Sequence, residues 1–574
     1  MNSRLPLLFA ALFALAHTQS PLYYSNQNQY FLSGLADGGV GSLSSDWLAN
    51  TADPVPVFTA FVAFSVKHLG TWPFHAVFFV ALMGYFLALW WLIAPTGANR
   101  SLWAMLIIGA HAGIVRLASD RLLGADYPWF FHSGLASQYV LGPGLQPSVI
   151  GVLLVAAVAA YRNERPILAA GLAAGANLIH ATYLLPAAIL IAGFLVGELL
   201  RKQWKSAGLS ALLALLLVSP VVVYDLRTFA PTDSETFTES QRILSEIRIP
   251  HHTRPTRWFD WVAGLQVVWM ALGLIALRRT RLFVPLSVTY TLVVIGTVAV
   301  IVTENPTLSL LFPWRVTAVL IPVSTAVVFG WVASRWVLRK SEAPHPPSSL
   351  RSDDDLSPAG RGAATQYKEI TDGGATAPTS PRRGEVEHPA KQEVRVRGSF
   401  VDHPLAMFVV SLIFASSGIV VMAFHLGYRE PEAENPVLQY VAATKQPGDL
   451  YLVPARIPKP STARGVYSNT FVRPPDANRP GIFEIARFRL ATGAPIFIDF
   501  KSIPYRDDEV LEWYRRVETA QRWFANPNWD TTGAIDEIQA AGITHVVAPT
   551  SAPLKCSRLD VLFEGGAYRV YRVK

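Results

Sequence analysis

The chain has 574 residues, of which 51% are hydrophobic, 11% aromatic and only 16% charged, with a formal charge of +8. So much apolar surface on a chain of this length excludes a soluble globular protein and reads as a multi-pass membrane protein. The basic excess does not mark a nucleic-acid partner, because the cations cluster where apolar runs end. A single cysteine, Cys556, excludes an internal disulfide framework and a cysteine metal cluster.

In chain order, residues 1–22 hold a short apolar run, 5–16, closing on Ala14-Leu15-Ala16; they read as a first span or as a cleavable signal. Residues 23–72 form a polar loop that contains Asn26-Gln27-Asn28-Gln29-Tyr30, Asp37, Asp46-Trp47 and the phrase Asp53-Pro54-Val55-Pro56-Val57-Phe58. Residues 73–340 form a transmembrane bundle with apolar runs at 73–93, 102–117, 148–161, 167–179, 183–199, 209–224, 261–277, 283–302 and 316–336. A helix of about 20 residues crosses the hydrocarbon layer, so the shorter runs are expected to be tilted or re-entrant.

Charge fixes the expected orientation. Placing Arg100, Arg162 with Arg165, Arg201-Lys202 with Lys205, Arg278-Arg279 with Arg281, and Arg339-Lys340 in the cytoplasm gives a consistent alternation, with the N-terminus inside and loop 23–72 outside. That alternation requires 54–67 to be an amphipathic helix on the outer surface rather than a span. Residues 341–404, rich in Pro, Ser, Gly, Asp and Arg, read as a disordered cytoplasmic linker. A last span, 405–426, then leads to an extracytoplasmic α/β domain at 435–574. There, strands are expected at 449–454, 496–500, 543–547 and 568–573, and helices at 507–524 and 533–541. The predicted fold is an α-helical polytopic membrane bundle of about eleven spans plus this C-terminal domain.

No nucleotide-binding loop, dinucleotide fingerprint, zinc-protease motif or nucleophile elbow is present, so any chemistry falls to constellations of polar residues. Asp37, Asp46 and Asp53 are the acidic residues of the first loop. A carboxylate there acts as a general base, holds a divalent cation, or simply caps a helix, as Asp46 would before Trp47 and Asp53 before Pro54. Asp37, followed by two glycines, also fits a turn. The run Arg248-Ile249-Pro250-His251-His252-Thr253-Arg254 suits a phosphate or pyrophosphate, or lipid head groups more generally. Arg315, in Phe312-Pro313-Trp314-Arg315, either binds an anion or snorkels. His180 reaches a cavity or is a satisfied interior histidine. The stretch 126–132 suits an interfacial aromatic belt, and Lys501, Arg506, Arg515 and Arg516 suit a solvated basic face.

The order of first helix, carboxylate-bearing loop, Pro-rich surface helix, bundle and C-terminal α/β domain resembles the GT-C superfamily of membrane glycosyltransferases. The phrase from Asp53 to Phe58 is similar to the one that opens their surface helix. The resemblance implies transfer of a sugar from a polyprenyl-phosphate donor to an extracytoplasmic acceptor at the bacterial inner membrane. Asp46, with Asp37 as runner-up, would supply the carboxylate or hold a cation. Arg248, His251 and His252 would stabilise the leaving phosphate, assisted by Arg315. Many members carry an acidic pair just after the first helix, where this chain has Asn28-Gln29. The Asn-Gln repeat, Phe312 to Arg315, and the stretch from Phe488-Arg489 to Lys501 look closer to an uncharacterised bacterial membrane family. The alternative expectation is a non-enzymatic integral membrane protein, either a transporter or an envelope assembly partner.

Overall fold

The computed structural model describes residues 4–123, 131–341, 404–428, 432–457 and 485–574. Each apolar run is helical, because a segment without water must satisfy its backbone internally. The helices Trp72–Ile93, Leu184–Leu200, Trp204–Thr228, Trp261–Ala276, Phe283–Thr303, Thr317–Ser341 and Pro404–Ala423 account for the continuous runs. The run at 102–117 divides at Ala112 into Arg100–His111 and Gly113–Leu123. Start signals are local: the Asn99 side chain accepts from Leu102 N at 3.1 Å, and that of Asp260 from Ala263 N at 2.9 Å. Among the described residues six helices are long and apolar enough to cross a membrane, namely Trp72–Thr96, Ala181–Leu200, Trp204–Thr228, Phe283–Thr303, Pro306–Arg335 and Pro404–Ala423. Leu209, Leu212, Leu215 and Leu216 on one of them, and Val294, Ile295, Val298 and Ile301 on another, are exposed in rows. Such rows suit a lipid-facing surface, and the chain is a multi-pass membrane protein.

The N-terminal helix, Arg4–His17, is part of the bundle. Phe9, Ala10, Phe13, Ala14 and Ala16 are buried in the core shared with Trp72–Ile93 and Pro404–Ala423. At Gly418 an added Cβ would lie 2.1 Å from Leu15 O, so these two helices cross backbone to backbone. The expected surface helix is present as Pro56–His68, with Pro56 in its first turn. Phe58, Thr59 and Val62 are buried, and Val62 sits against Gly34 of the helix Leu32–Asp37, while Val57 and Phe64 are more than half exposed. The expected linker, 341–404, lies almost wholly outside the described residues.

The C-terminal domain has a four-stranded sheet in the order β1-β2-β4-β3, with β1 Tyr451–Leu452, β2 His545–Pro549, β3 Leu559–Gly565 and β4 Tyr568–Val573. β1 and β2 are parallel, and the β2–β4 and β3–β4 pairs are antiparallel. The helices Asp507–Ala525 and Ala534–Ala540 cover it with Val510, Trp513, Val517 and Ile538. The strand expected at 496–500 does not form. Ile496 bridges Tyr451 alone, through Tyr451 N to Pro495 O at 3.1 Å and Phe497 N to Tyr451 O at 2.8 Å, while its own N–H, on the opposite edge, donates to Asp46 Oδ2 at 3.0 Å. β3 was not expected, although Leu559, Val561 and Phe563 alternate with Asp560, Leu562 and Glu564 before Gly565-Gly566.

The domain is locked onto the first loop. Gly41, at φ +56°, approaches Gly493 so closely that a Cβ would meet Gly493 O at 2.2 Å, and Ser42 N donates to the same oxygen at 2.8 Å. Gly41→Ala is therefore expected to destabilise the docked state by about 1–3 kcal/mol through left-handed strain and lost contact. The check is the thermal unfolding midpoint against a Gly39→Ala control, also at positive φ but with open space around its Cβ.

Candidate functional site

The three acidic residues of the first loop stand in different surroundings: Asp46 buried, Asp53 half-buried and Asp37 exposed. Asp46 is fully buried. Its Oδ1 accepts from Leu48 N at 2.9 Å, and its Oδ2 accepts from Ile496 N at 3.0 Å and lies 2.9 Å from Arg489 Nε. Arg489, also buried, lies 3.4 Å from Asp499 as well. Of the roles open to Asp46 from sequence, base, cation ligand or cap, the structure shows both carboxylate oxygens engaged in fastening the loop to the domain. Trp47 beside it stacks beneath Arg516, 4.4 Å from ring centre to guanidinium carbon. Asp37 ends the helix Leu32–Asp37 in an exposed position, with Asp53 as its charged neighbour. Asp53 accepts from Val55 N at 2.9 Å, a turn just ahead of the helix rather than the expected cap, because the helix begins at Pro56 with Val55 as its N-cap. Burial pushes its carboxyl up, with a smaller push from Asp37. Among the described residues no three His, Cys, Asp or Glu side chains converge as a metal site.

The basic residues are brought together, and from three separate parts of the chain. Arg248 closes the irregular helical segment Ile243–Arg248, and His251 and His252 ride on the turn Pro250–Thr253 that follows. Arg315 comes from the turn Pro313–Val316, and Lys501 from the segment of the C-terminal domain that runs on from Asp499. The Arg248 guanidinium donates to the Lys501 carbonyl and lies 5.3 Å from the centre of the Phe500 ring. Lys501 Nζ donates to Asn26 Oδ1 at 2.9 Å. Arg315 lies over Tyr183 at 5.6 Å and over Phe312 at 5.8 Å. All five basic side chains are half-buried.

The two histidine rings are 4.1 Å apart. Ala136 O lies 2.7 Å from His252 Nδ1. A carbonyl only accepts, so Nδ1 carries the proton and Nε2 holds the lone pair of the neutral ring. Gln138 Nε2 lies 3.1 Å from the same Nδ1. Ala136 and Ser137 both take positive φ, 56° and 54°, and this uncommon turn aims the carbonyl. Trp314 Nε1 donates to His252 O at 3.1 Å and ties the Arg315 turn to the histidine turn.

Burial, then His252, Arg248 and Lys501, drive His251 down to about 2. Burial, followed by Arg315, Lys501 and Arg248, lowers His252 to about 4 despite the bond to Ala136. Both rings are neutral at pH 7, and the charges acting on them are cationic. Because the unfolded rings titrate near 6.5, the folded chain binds fewer protons than the unfolded one below that pH. Stability is thus full above about pH 6.5 and falls toward pH 4, by up to about 1.4 kcal/mol per pH unit for each ring. Thermal midpoints between pH 7 and 5 check this, and the slope is expected to flatten in His251→Phe.

Tyrosines adjoin this cluster. Tyr505 OH receives a hydrogen bond from Gln29 Nε2 at 2.6 Å and lies 3.5 Å from Tyr30 OH. His180 stands between Tyr30 and Tyr183, at 5.7 and 5.6 Å. Lys501, Tyr505 and Tyr30 were not expected here: each joins through contacts across some 475 positions, for which the sequence carries no local signal. Arg506, Arg515 and Arg516 pair instead with Asp508 and Glu512. Glu304 is exposed, and of the expected aromatic belt 126–130 lies outside the described residues.

Residues 470–520 match a domain of unknown function, DUF6798. That segment contains Arg489, Asp499, Lys501 and Tyr505, the residues through which the C-terminal domain meets the first loop and the basic cluster. No curated protein matches the chain.

Proposed function

We propose that the protein binds the phosphate of a polyprenyl-phosphate-linked sugar at the cluster of Arg248, His251, His252, Arg315 and Lys501. The observation that carries this reading is the convergence of three cations and two neutral histidines where the helical bundle meets the C-terminal domain. Guanidinium forks and the N–H of neutral His251 suit phosphate oxygens, while His252, whose N–H goes to Ala136 O, keeps a lone pair on Nε2; incoming negative charge relieves the repulsion among the cations. In this reading about eleven segments cross the bacterial inner membrane, and the cluster and the C-terminal domain face the extracytoplasmic side.

The GT-C resemblance attaches sugar transfer to this site. An acceptor hydroxyl oxygen would bond to the anomeric carbon as the bond from that carbon to the phosphate oxygen breaks. The hydroxyl proton would pass to His252 Nε2, and the phosphate would leave with its electron pair, held by Arg248 and Arg315. A second reading, an assembly partner that binds without turnover, is favoured by the sealed Asp46 and by Asn28-Gln29. The test is equilibrium binding of polyprenyl phosphate and of the unphosphorylated polyprenol to the full chain in nanodiscs. Binding of the first alone supports the reading; equal binding of both contradicts it. Release of free sugar or a glycosylated acceptor from a sugar-loaded donor separates transfer from binding.

A further inference from the structure

Between the helices Pro166–Gly175 and Leu184–Leu200 the chain breaks into two short turns, Ala176–Leu178 and Ala181–Tyr183, with His180 extended between them. Broken backbone among apolar helices persists where it is packed in protein or lines a cavity. His180 is 2% exposed, yet neither of its ring nitrogens has a hydrogen-bond partner in the protein, and Thr182 Oγ1 is buried in the same condition. Buried polar groups are nearly always paired, so each of these exceptions asks for a partner. The ring lies edge-on between Tyr30 and Tyr183, and Tyr183 carries Arg315 over its face at 5.6 Å. The orphaned imidazole therefore adjoins the proposed phosphate site.

The chemistry of this corner differs from that of the cluster beside it. A neutral imidazole offers one donor and one acceptor, the Tyr30 hydroxyl offers both, and the aromatic rings offer flat apolar faces; the Tyr183 hydroxyl already donates to Ser148 O, so that residue contributes its ring. That set suits an uncharged ring or chain bearing several hydroxyls. We infer that His180, with Tyr30 and Tyr183, forms a subsite for an uncharged polyhydroxyl head group joined to the phosphate that Arg315 holds. The ligand is then a phosphodiester rather than a bare phosphomonoester, and His180 is the residue that tells them apart. The inference rests on the phosphate site proposed above. A sugar on polyprenyl phosphate and the glycerol head of phosphatidylglycerol share this chemistry.

The experiment measures three probes on the full chain in nanodiscs of zwitterionic lipid: polyprenyl phosphate, polyprenyl-phosphate hexose and phosphatidylglycerol. The wild type is expected to hold one of the two diesters about tenfold more tightly than bare polyprenyl phosphate, the worth of one or two buried hydrogen bonds. Whichever diester shows the preference identifies the source. His180→Phe is expected to abolish the preference and leave bare-phosphate binding unchanged, whereas His180→Gln retains part of it. Tyr30→Phe, which keeps the ring and removes only the hydroxyl, gives the same reading if His180→Phe folds poorly. Equal binding of all three by the wild type, or a preference that survives both His180→Phe and Tyr30→Phe, overturns the subsite while the phosphate site stands. Failure of bare polyprenyl phosphate to bind overturns the phosphate site and this subsite together.

Discussion

Arg489→Met is expected to lower stability by about 3–5 kcal/mol, the usual consequence of leaving buried charge without its partner. Asp46 and Asp499 would both remain in the interface, with Asp46 still held by Leu48 N and Ile496 N. The loss should concentrate where the first loop meets the C-terminal domain. Amide exchange at 42–52 is expected to rise far more than exchange in the helix Asp507–Ala525. The triple variant Asp46→Asn, Asp499→Asn, Arg489→Met removes all three charges and is expected to recover much of the loss. An Arg489→Met chain that unfolds with the wild-type midpoint and exchange pattern would mean that the buried pair does not fasten the loop.

Arg315→Ala is expected to weaken polyprenyl phosphate binding by about ten- to a hundredfold, because a charge-assisted hydrogen bond is worth about 1.5–3 kcal/mol. No carboxylate pairs with Arg315 among the described residues, its contacts being the faces of Tyr183 and Phe312. Its loss therefore strands no buried acid, and the effect on folding should be small beside the effect on binding. Arg315→Lys keeps the charge but not the planar fork, and an intermediate affinity is expected. Unchanged affinity in Arg315→Ala, measured by the same nanodisc titration, would remove Arg315 from the site.

The helical bundle was legible because each apolar run carries its own instruction: a helix in lipid satisfies its backbone within one segment. Helix starts at Asn99 and Asp260 follow from a side chain three residues from the N–H it caps. The break at Ala112 was not legible, since Leu102 to Leu117 is continuously apolar apart from His111 and Arg116. The segment 496–500 has the composition of a strand, but it pairs with Tyr451 through a single bridge, and the Ile496 N–H on its other edge goes to Asp46, 450 positions earlier. The same distance hid the role of Asp46, for which sequence offered a base, a cation ligand or a cap. The structure shows one half of a buried ion pair with Arg489, its other oxygen accepting from Leu48 N. Arg248, His251 and His252 lie within one local run, and their chemistry alone marked them as candidates for a phosphate or for lipid head groups. Their neighbours Lys501 and Tyr505 come from the far end of the chain, and only folding brings them there.

The most direct measurement is an experimental structure of the full chain in nanodiscs with polyprenyl phosphate bound. Phosphate density is expected within hydrogen-bonding distance of Arg315 and of at least one of Arg248, His251 and His252, with Asp46 still paired to Arg489. Phosphate bound elsewhere on the bundle, or an Asp46 carboxylate released from Arg489 and turned toward the ligand, would contradict the proposed site.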